Sequence, residues 1–364
     1  MVNHAAEDLI SAFIGGCLIG LATTLNYYMY GRITGNSGIF NTLIKFNVKE
    51  GLRWKYSFLA GIASIGYLIY LITDNGKWTT SSFTLYFFDP IDAAIGDLHI
   101  GGWVLAGILV GIGTKMGNGC TSGHGVCGLP RLSIRSIVAV GTFMGCGIAI
   151  ATLRYHVEFL RSRQSFGNGF EDAWPITGGV LVAIILAIFI GLTIYMFIKM
   201  EEAKDKWDMP IGFCVGLIFG AGLVISGMCR RTKIVNFLTI HKDWDPSLML
   251  VMCGAILVNA FTFTWIIYKV KEPVFGETIC NPKNKKVDLR LVCGAALFGL
   301  GWGIGGLCPG PGMINFFLVT HMIIWIPCLA IGQLGFEIVD KSISKYRQPK
   351  AEEEYDPSAN KVHP

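Results

Sequence analysis

The sequence predicts an all-α polytopic membrane protein with about nine transmembrane helices, short re-entrant broken helices and two pseudo-symmetric halves. Three observations support this fold class. The 364 residues are 52% hydrophobic and only 15% charged, whereas soluble domains carry about 25% charged residues. Apolar stretches of membrane-spanning length recur along the chain. A pattern of glycine and cysteine also repeats within these stretches.

The membrane-spanning segments can be located along the chain, because a spanning helix needs about 20 mostly apolar residues. The first segment is too long for a signal-peptide core and follows acidic residues, so it is expected to remain as a membrane helix. An integral, multi-pass protein is therefore predicted, in either a bacterial-type inner membrane or a mitochondrial inner membrane. The predicted spans are 9–29, 56–73, 100–116, 134–153, 176–199, 211–228, 246–268, 289–307 and 313–338.

Four further segments are too short or too rich in glycine and proline to span, yet too apolar for ordinary loops: 33–43, 121–132, 232–240 and 308–314. Irregular backbone at membrane depth is tolerated only where protein or a water-filled cavity covers it. Helices that stop within the membrane often mark binding sites in transporters. These segments are therefore predicted to be re-entrant and to lie near a site.

In each unit of the repeat, two small residues are separated by one other residue. A sulfur-bearing residue follows the second of them after six intervening residues. Small residues four apart on one helix face allow close backbone contact in lipid. The repeat divides the chain into a first membrane half (1–155), a connecting loop (156–174), a second membrane half (175–340) and a polar solvated tail (341–364). Its units are Gly111-Ile-Gly113 with Cys120, Gly220-Ala-Gly222 with Cys229, Gly299-Leu-Gly301 with Cys308, and a degenerate Gly20-Leu-Ala22 with Met29.

The main candidate site is the glycine-rich run from Gly117 to Ser136. Its exposed backbone N–H groups, with the start of a helix near Ser133, predict an anion-binding nest. In the second half, Pro309 and Pro311 predict a helix break directly after Cys308. The candidate substrate-binding residues are Cys120, Cys308, Cys229, Gly119, Thr121, Ser122, Gly123, His124, Gly306, Gly310, Met29 and Arg131.

The pairing of thiols with backbone amides indicates the chemistry of the substrate. A sulfur-containing anion has oxygens that accept N–H donors and a terminal sulfur that is soft and polarisable. Thiols are weak donors that suit this sulfur and cost little to bury. The net charge of +5 is spread over loops and tails, which favours no nucleic-acid partner.

Other interpretations of the same residues remain open at this point. Cys120, His124 and Cys127 have the spacing of part of a zinc site, although no fourth ligand is placed by spacing. Cys120 and His124 would form a nucleophile and base only if that stretch were helical. His124 alone is also typical of a structural histidine, Arg131 of a positive-inside residue and Met29 of an apolar filler. No catalytic residue, metal or cofactor is expected.

The motifs GNGCTSGHGVCGLPRLSIRS, GLIFGAGLVISGMCRRTKIVNFL and LFGLGWGIGGLCPGPGMINF resemble those of the YeeE/YedE sulphur-transport family, whose studied members import thiosulfate. The similarity covers roughly 10–335. It implies pseudo-symmetric halves with short helices that meet in the membrane, and passage of thiosulfate by successive contacts with thiols. The cysteine of GCTSGHG is Cys120 and that of GLCPGPG is Cys308, whereas the opening unit has Met29.

The leading hypothesis is a permease, and not an enzyme, for thiosulfate or a related sulfur-containing anion. A transporter-like structural subunit of a larger membrane complex is the first alternative. A membrane sulfurtransferase in which Cys120 carries a persulfide is the second, because Arg131 and a helix end would lower the pKa of that thiol. The expected partners are the anion and the lipid bilayer, with a sulfur-carrier protein or a larger membrane complex as open additions.

Overall fold

The computed structural model describes residues 6–46, 52–79, 84–90, 98–157, 168–200, 202–242, 244–270, 272–275, 278–280 and 286–353. Within these ranges the protein is overwhelmingly helical, which confirms the predicted fold class. Most of the predicted connecting loop, 158–167, and the end of the predicted tail, 354–364, lie outside the described residues. The last helix continues to Glu353, so residues 341–353 of the predicted tail are helical.

The helices fall into long and short elements. The long ones are α1 (Ala6–Tyr30), α3 (Arg53–Ile72), α4 (Ile100–Met116), α5 (Ile134–His156), α6 (Asn168–Lys199), α7 (Ala203–Ile225), α9 (Ser247–Trp265), α10 (Leu289–Gly305) and α12 (Met322–Glu353). The short ones are α2 (Asn36–Ile44), α8 (Arg231–Leu238) and α11 (Pro309–Asn315). A π-helical segment (Thr121–Gly128) and a 3-10 turn (Leu129–Arg131) follow α4, and a π-helical turn (Ile266–Val270) extends α9.

Within the described residues, eight helices are long and apolar enough to cross a membrane. The number rises to nine if α4 and the segment after it, bent by 47°, count as one span. These spans confirm an integral, multi-pass membrane protein. The predicted last span, 313–338, is wrong at its start, because α12 begins at Met322 after α11 and a turn over 316–321.

All four predicted re-entrant segments are short helices in the structure. Each lies between two long helices, so the described residues contain four units of long helix, short helix and long helix.

Residues 74–99, a polar stretch between two predicted spans, contain one feature that the sequence did not reveal. Lys77–Thr79 (β1) pairs antiparallel with Thr84–Tyr86 (β2) as a small hairpin.

Eight of the nine long helices pack in two rows of four, and α6 packs outside them against α3 and α7. One row has the order α3, α7, α1, α9, and the other has the order α5, α10, α4, α12. In each row the two central helices are antiparallel, and each outer helix runs parallel to its central neighbour. Each row takes two helices from the first half of the chain and two from the second. The halves of the sequence therefore interleave in space.

The glycines of the repeat explain how the rows pack. In α4, a Cβ atom added at Gly111 would lie 2.3 Å from the Leu329 carbonyl oxygen of α12. A Cβ added at Gly113 would lie 2.3 Å from the Phe298 nitrogen of α10. Gly111 thus allows α4 to pack closely against α12, and Gly113 allows it to pack closely against α10. Because backbones in lipid approach closely only at small residues, the Gly-x-Gly part of the motif is a packing device.

Asn259 ties the π-helical segment to the first row. Its side chain is fully buried in α9; Oδ1 accepts hydrogen bonds from Thr23 Oγ1 at 3.0 Å and Thr24 Oγ1 at 3.1 Å, and Nδ2 donates to the Val126 carbonyl at 2.8 Å. We expect Asn259→Leu to destabilise the protein by about 1–3 kcal/mol, because it removes three buried hydrogen bonds, including the one to the Val126 carbonyl. Thermal unfolding in detergent measures the change.

The matched control is Thr264→Val, an exposed position on the same helix whose hydroxyl bonds only to its own helix, at the Ala260 carbonyl. It should leave the unfolding midpoint unchanged. Equal midpoints for the Asn259 variant and the unmodified protein would contradict the anchoring role.

Candidate functional site

Cys120 and Cys308 occupy equivalent positions in their units. Each is the residue directly before a short helix, with extended backbone angles, and each is almost fully buried. The helix break was predicted directly after Cys308, but α10 already ends at Gly305, because Gly306 adopts a left-handed conformation. Pro309 is instead the first residue of α11, a position that proline favours. The two thiols come from different halves of the chain, and the packing of the rows brings both into one wall.

That wall surrounds a cavity of about 370 Å³, here called the central cavity. Cys120 and Cys308 both line it, together with Thr121, Ser122 and Gly310 from the predicted site. The rest of the lining is largely aromatic and aliphatic, and includes Phe143, Phe219, Phe237, Trp302, Met228 and Met252. Cys253 of α9 also lines it, so the cavity offers a soft, weakly polar surface with three thiols.

Hydrogen bonds connect the short helices around this cavity. The Cys120 thiol and the Ser122 hydroxyl are 3.2 Å apart. The same hydroxyl accepts a hydrogen bond from the Asn36 backbone N–H at 3.1 Å. The Thr121 side chain lies close to the Cys308 thiol. The starts of α2, the π-helical segment and α11 are thus held together at the cavity.

A larger cavity of about 840 Å³, here called the basic cavity, lies on the other side of the glycine-rich run. Gly119, Gly123, His124 and Arg131 line it, and a Cβ added at Gly123 would meet nothing within 4 Å. Its cationic lining residues are Lys55, Lys115, Arg131 and Arg135. None of its lining residues in the described part of the chain is acidic, so its potential favours anions.

Two carboxylates touch these cations from outside the lining. Glu337 lies 2.8 Å from Lys115 and Asp288 lies 3.3 Å from Arg135. Asp288 precedes α10, outside the spanning segment. The backbone N–H of Leu291 and the Arg135 guanidinium lower the pKa of its carboxyl. Asp288 is therefore ionised at neutral pH and offsets part of the Arg135 charge.

Both ring nitrogens of His124 are occupied. Nδ1 lies 3.2 Å from the Ser136 hydroxyl and Nε2 lies 3.2 Å from the Gly117 carbonyl oxygen. A Cβ added at Gly119 would lie 2.7 Å from this ring, so Gly119 allows the close approach. These contacts favour a structural role for His124 and leave no nitrogen to act as a base for the Cys120 thiol.

Three predicted site residues line neither cavity. Cys229 is buried, and its carbonyl accepts a hydrogen bond from Asn315 Nδ2 at 2.9 Å. Gly306 has a φ of 68° and ends α10, which is a position that favours glycine. Met29 is half-buried near the end of α1, where its carbonyl accepts from the Phe275 N–H. The equal spacing of Cys229 and Cys308 in the repeat therefore does not give them equal surroundings.

Comparison with known proteins covers parts of the chain. Residues 208–348 match a family described as "Family of unknown function (DUF6691)". A Xylella fastidiosa (strain Temecula1) protein named "Probable transporter" is 34% identical over 137 residues, which are 37% of this chain and 92% of the relative. A second protein of that strain with the same name is 36% identical over 143 residues, 38% of this chain and 90% of the relative. The chain belongs to this family of probable transporters.

Four residues that line the cavities of the transporter escaped the sequence analysis. Asn36 and Trp302 line the central cavity, and Lys55 and Lys115 line the basic cavity. A signal was present for Lys115, because a charged residue inside a predicted spanning segment indicates function by default. Lys55 directly precedes the predicted span 56–73 and had no such signal. Asn36, which directly follows a glycine, is the first residue of a short helix. Thr121 and Pro309 have the same place in their short helices, where each directly follows a cysteine. Trp302 had no such signal.

Among the described residues of the transporter, no group of three or more histidine, cysteine, aspartate or glutamate side chains could hold a metal ion. Cys127, the third member of the possible zinc spacing, is fully buried, and its thiol points to the Thr34 carbonyl oxygen at 3.8 Å. The glycine-rich run forms a partition between the basic cavity and the central cavity, because neighbouring residues of the run line one or the other.

Proposed function

We propose that this transporter is a permease for thiosulfate or a closely related sulfur-containing anion. The observation that supports the proposal most strongly is that Cys120 and Cys308, from different halves of the chain, line one cavity. In this proposal the thiols contact the anion without forming a covalent bond. The anion enters the basic cavity and passes the glycine-rich run into the central cavity.

The basic cavity would concentrate anions before they reach the thiols. Its lysine and arginine side chains raise the local anion concentration electrostatically. Gly123, on the partition, allows an anion to approach the backbone closely, because an added Cβ there would meet nothing within 4 Å. Both features act on any small anion, so they provide capture and leave selection to the next step.

The central cavity would select for sulfur. Its aromatic and aliphatic walls provide few partners for a fully oxygenated anion, and leaving polar oxygens unpaired is costly. Thiosulfate can place its terminal sulfur against the thiols and the aromatic walls and direct its oxygens to the few donors. Sulfate and phosphate have no such sulfur. Discrimination between these anions is thus expected at Cys120 and Cys308.

Uptake of sulfur-35-labelled thiosulfate into proteoliposomes tests this function. We expect saturable uptake that excess unlabelled thiosulfate suppresses and that equal concentrations of sulfate or phosphate leave largely unchanged. Liposomes without protein are the control. An absence of uptake by folded protein in both orientations would contradict the permease and favour a structural subunit.

Lys115 provides a test of the basic cavity. We expect Lys115→Gln to raise the half-saturating thiosulfate concentration by about 2- to 10-fold, with little change in maximal rate, because it removes anion attraction rather than the thiols. The difference should shrink as ionic strength rises. Glu337 keeps its ion pairs with Lys45 and Lys341, so the substitution leaves no unpaired carboxylate.

The control for Lys115 is Lys77→Gln, because Lys77 is exposed in the small hairpin and lines neither cavity. Uptake by this variant should match the unmodified protein at every salt concentration. A salt-independent loss of maximal rate in the Lys115 variant would contradict a role in capture.

A further inference from the structure

Two buried polar groups in the central cavity lack hydrogen-bond partners among the residues that the structure describes. They are Oδ1 of Asn36 and Nε1 of Trp302. Asn36 is 3% exposed and Trp302 is 1% exposed, and both side chains line the cavity that contains Cys120 and Cys308. Buried polar atoms are nearly always paired in native proteins, and an exception at a cavity points to a ligand.

The Asn36 side chain is held between the two cysteine-bearing segments. Its backbone N–H donates to Ser122, two residues after Cys120. Its amide packs on Gly310, two residues after Cys308, where an added Cβ would lie 2.3 Å from Asn36 Nδ2. The unpaired atom, Oδ1, can only accept hydrogen bonds, so an anion oxygen must be met by the NH2 group. That group lies beside Gly310, and a 180° rotation of the amide would exchange it with Oδ1.

The Trp302 ring is fixed by other aromatic rings. It stacks on Phe298 with an interplanar angle of 6° and meets Phe143 edge-on at 80°. Its indole nitrogen lies close to the Cys308 thiol but lacks the geometry of a hydrogen bond. An indole N–H can only donate. Trp302 therefore presents one fixed donor next to a thiol.

We infer that the Asn36 amide and the Trp302 indole N–H bind the oxygens of the transported anion while the Cys120 and Cys308 thiols contact its sulfur. The inference rests on the proposed function and adds the residues that determine specificity on the oxygen side. Thiols are weak donors, so they cannot satisfy the charged oxygens of thiosulfate. The Trp302 indole N–H and the NH2 group of Asn36 supply that part of the recognition within the same cavity.

The first test is uptake by Trp302→Phe, which keeps an aromatic ring and removes the donor, and by Asn36→Leu. We expect each to raise the half-saturating thiosulfate concentration by about 10-fold or more, because a hydrogen bond to a charged group is lost. Trp103→Phe is the matched control. Trp103 is fully buried and its indole nitrogen also lacks a partner in the described part of the chain, but it does not line the central cavity.

The second test observes the indole N–H directly. In protein labelled with nitrogen-15 at the tryptophan indole, the signal that Trp302→Phe removes should shift as thiosulfate is added, with the same saturation as binding. The Trp103 signal should stay in place. This measurement on the unmodified protein still decides the matter if a variant fails to fold.

The outcomes separate this inference from the proposed function. If the unmodified protein takes up thiosulfate, while both folded variants keep its half-saturating concentration and the Trp302 signal does not move, the donor assignment is overturned and the permease stands. If the unmodified protein neither takes up thiosulfate nor shows any shift, the permease is overturned, and the donor assignment with it.

Discussion

Cys308→Ser is expected to abolish selective thiosulfate uptake while the protein stays folded. Cys308 is 2% exposed and lines the central cavity. The substitution therefore replaces a thiol in the cavity wall with a hydroxyl. A hydroxyl is hard and strongly hydrated, whereas the terminal sulfur of thiosulfate is soft. We expect the ratio of maximal rate to half-saturating concentration to fall by at least about 10-fold, which corresponds to about 1.4 kcal/mol.

Stability should survive this change because of where Cys308 lies. It is the residue before α11, in an extended conformation, and serine is among the preferred residues at that position of a helix. Cys120→Ser should behave in the same way, since Cys120 has the equivalent place before the π-helical segment. The measurement is proteoliposome uptake, with size-exclusion profiles and unfolding midpoints recorded for each variant.

Cys214→Ser is the control for both cysteine variants, because Cys214 is exposed on α7 and lines neither cavity. Its uptake should equal that of the unmodified protein. Normal uptake by folded Cys120→Ser and Cys308→Ser proteins would contradict the thiol path. A persulfide trapped on Cys120 during turnover would instead support the sulfurtransferase alternative.

Gly111→Ala is expected to have the largest effect on stability. Its Cβ would lie 2.3 Å from the Leu329 carbonyl oxygen and 2.9 Å from the Gly332 Cα. Both are backbone atoms of α12, so no side-chain rotation can relieve the overlap, and α4 must separate from its neighbour. We expect a loss on the order of 3 kcal/mol or more, at the upper end of what overpacking costs. The recovery of monodisperse protein and its unfolding midpoint in detergent measure the loss.

Gly141→Ala is the matched control, because a Cβ at Gly141 in α5 would meet nothing within 4 Å. There the same substitution should be neutral or should stabilise the helix by up to about 1 kcal/mol. If both alanine variants unfold at the same temperature, the close contact between α4 and α12 is not what holds the second row together.

The positions of the helices could be predicted well from the sequence. The bilayer thickness sets the length of an apolar span, and the glycines shortly before 36, 121, 231 and 309 break the helices regardless of what packs around them. The last span shows the limit of this approach. Met313 and Ile314 are as apolar as the helix that follows, and only the packed structure assigns them to α11.

The site was only partly predictable. The nest at Gly119 and Gly123 and the cysteines at 120 and 308 follow from local composition and from the repeat. Cys229 has the same spacing as Cys308, yet it lines neither cavity, because the repeat defines a position along a helix and not the neighbours of that position. For His124 the sequence left open a substrate contact, a base and a structural role, whereas in the structure Ser136 and Gly117 occupy both of its nitrogens.

The sequence by itself thus determined that this is a membrane protein of repeated, broken helices with sulfur at the breaks, because these properties depend on hydrophobicity and local backbone chemistry. The tertiary structure decided which breaks meet. Asn36, Cys120, Trp302 and Cys308 are distant in the chain and come together only because helices of both halves alternate within each row. Contacts between distant residues depend on packing across the whole molecule, which no local pattern encodes.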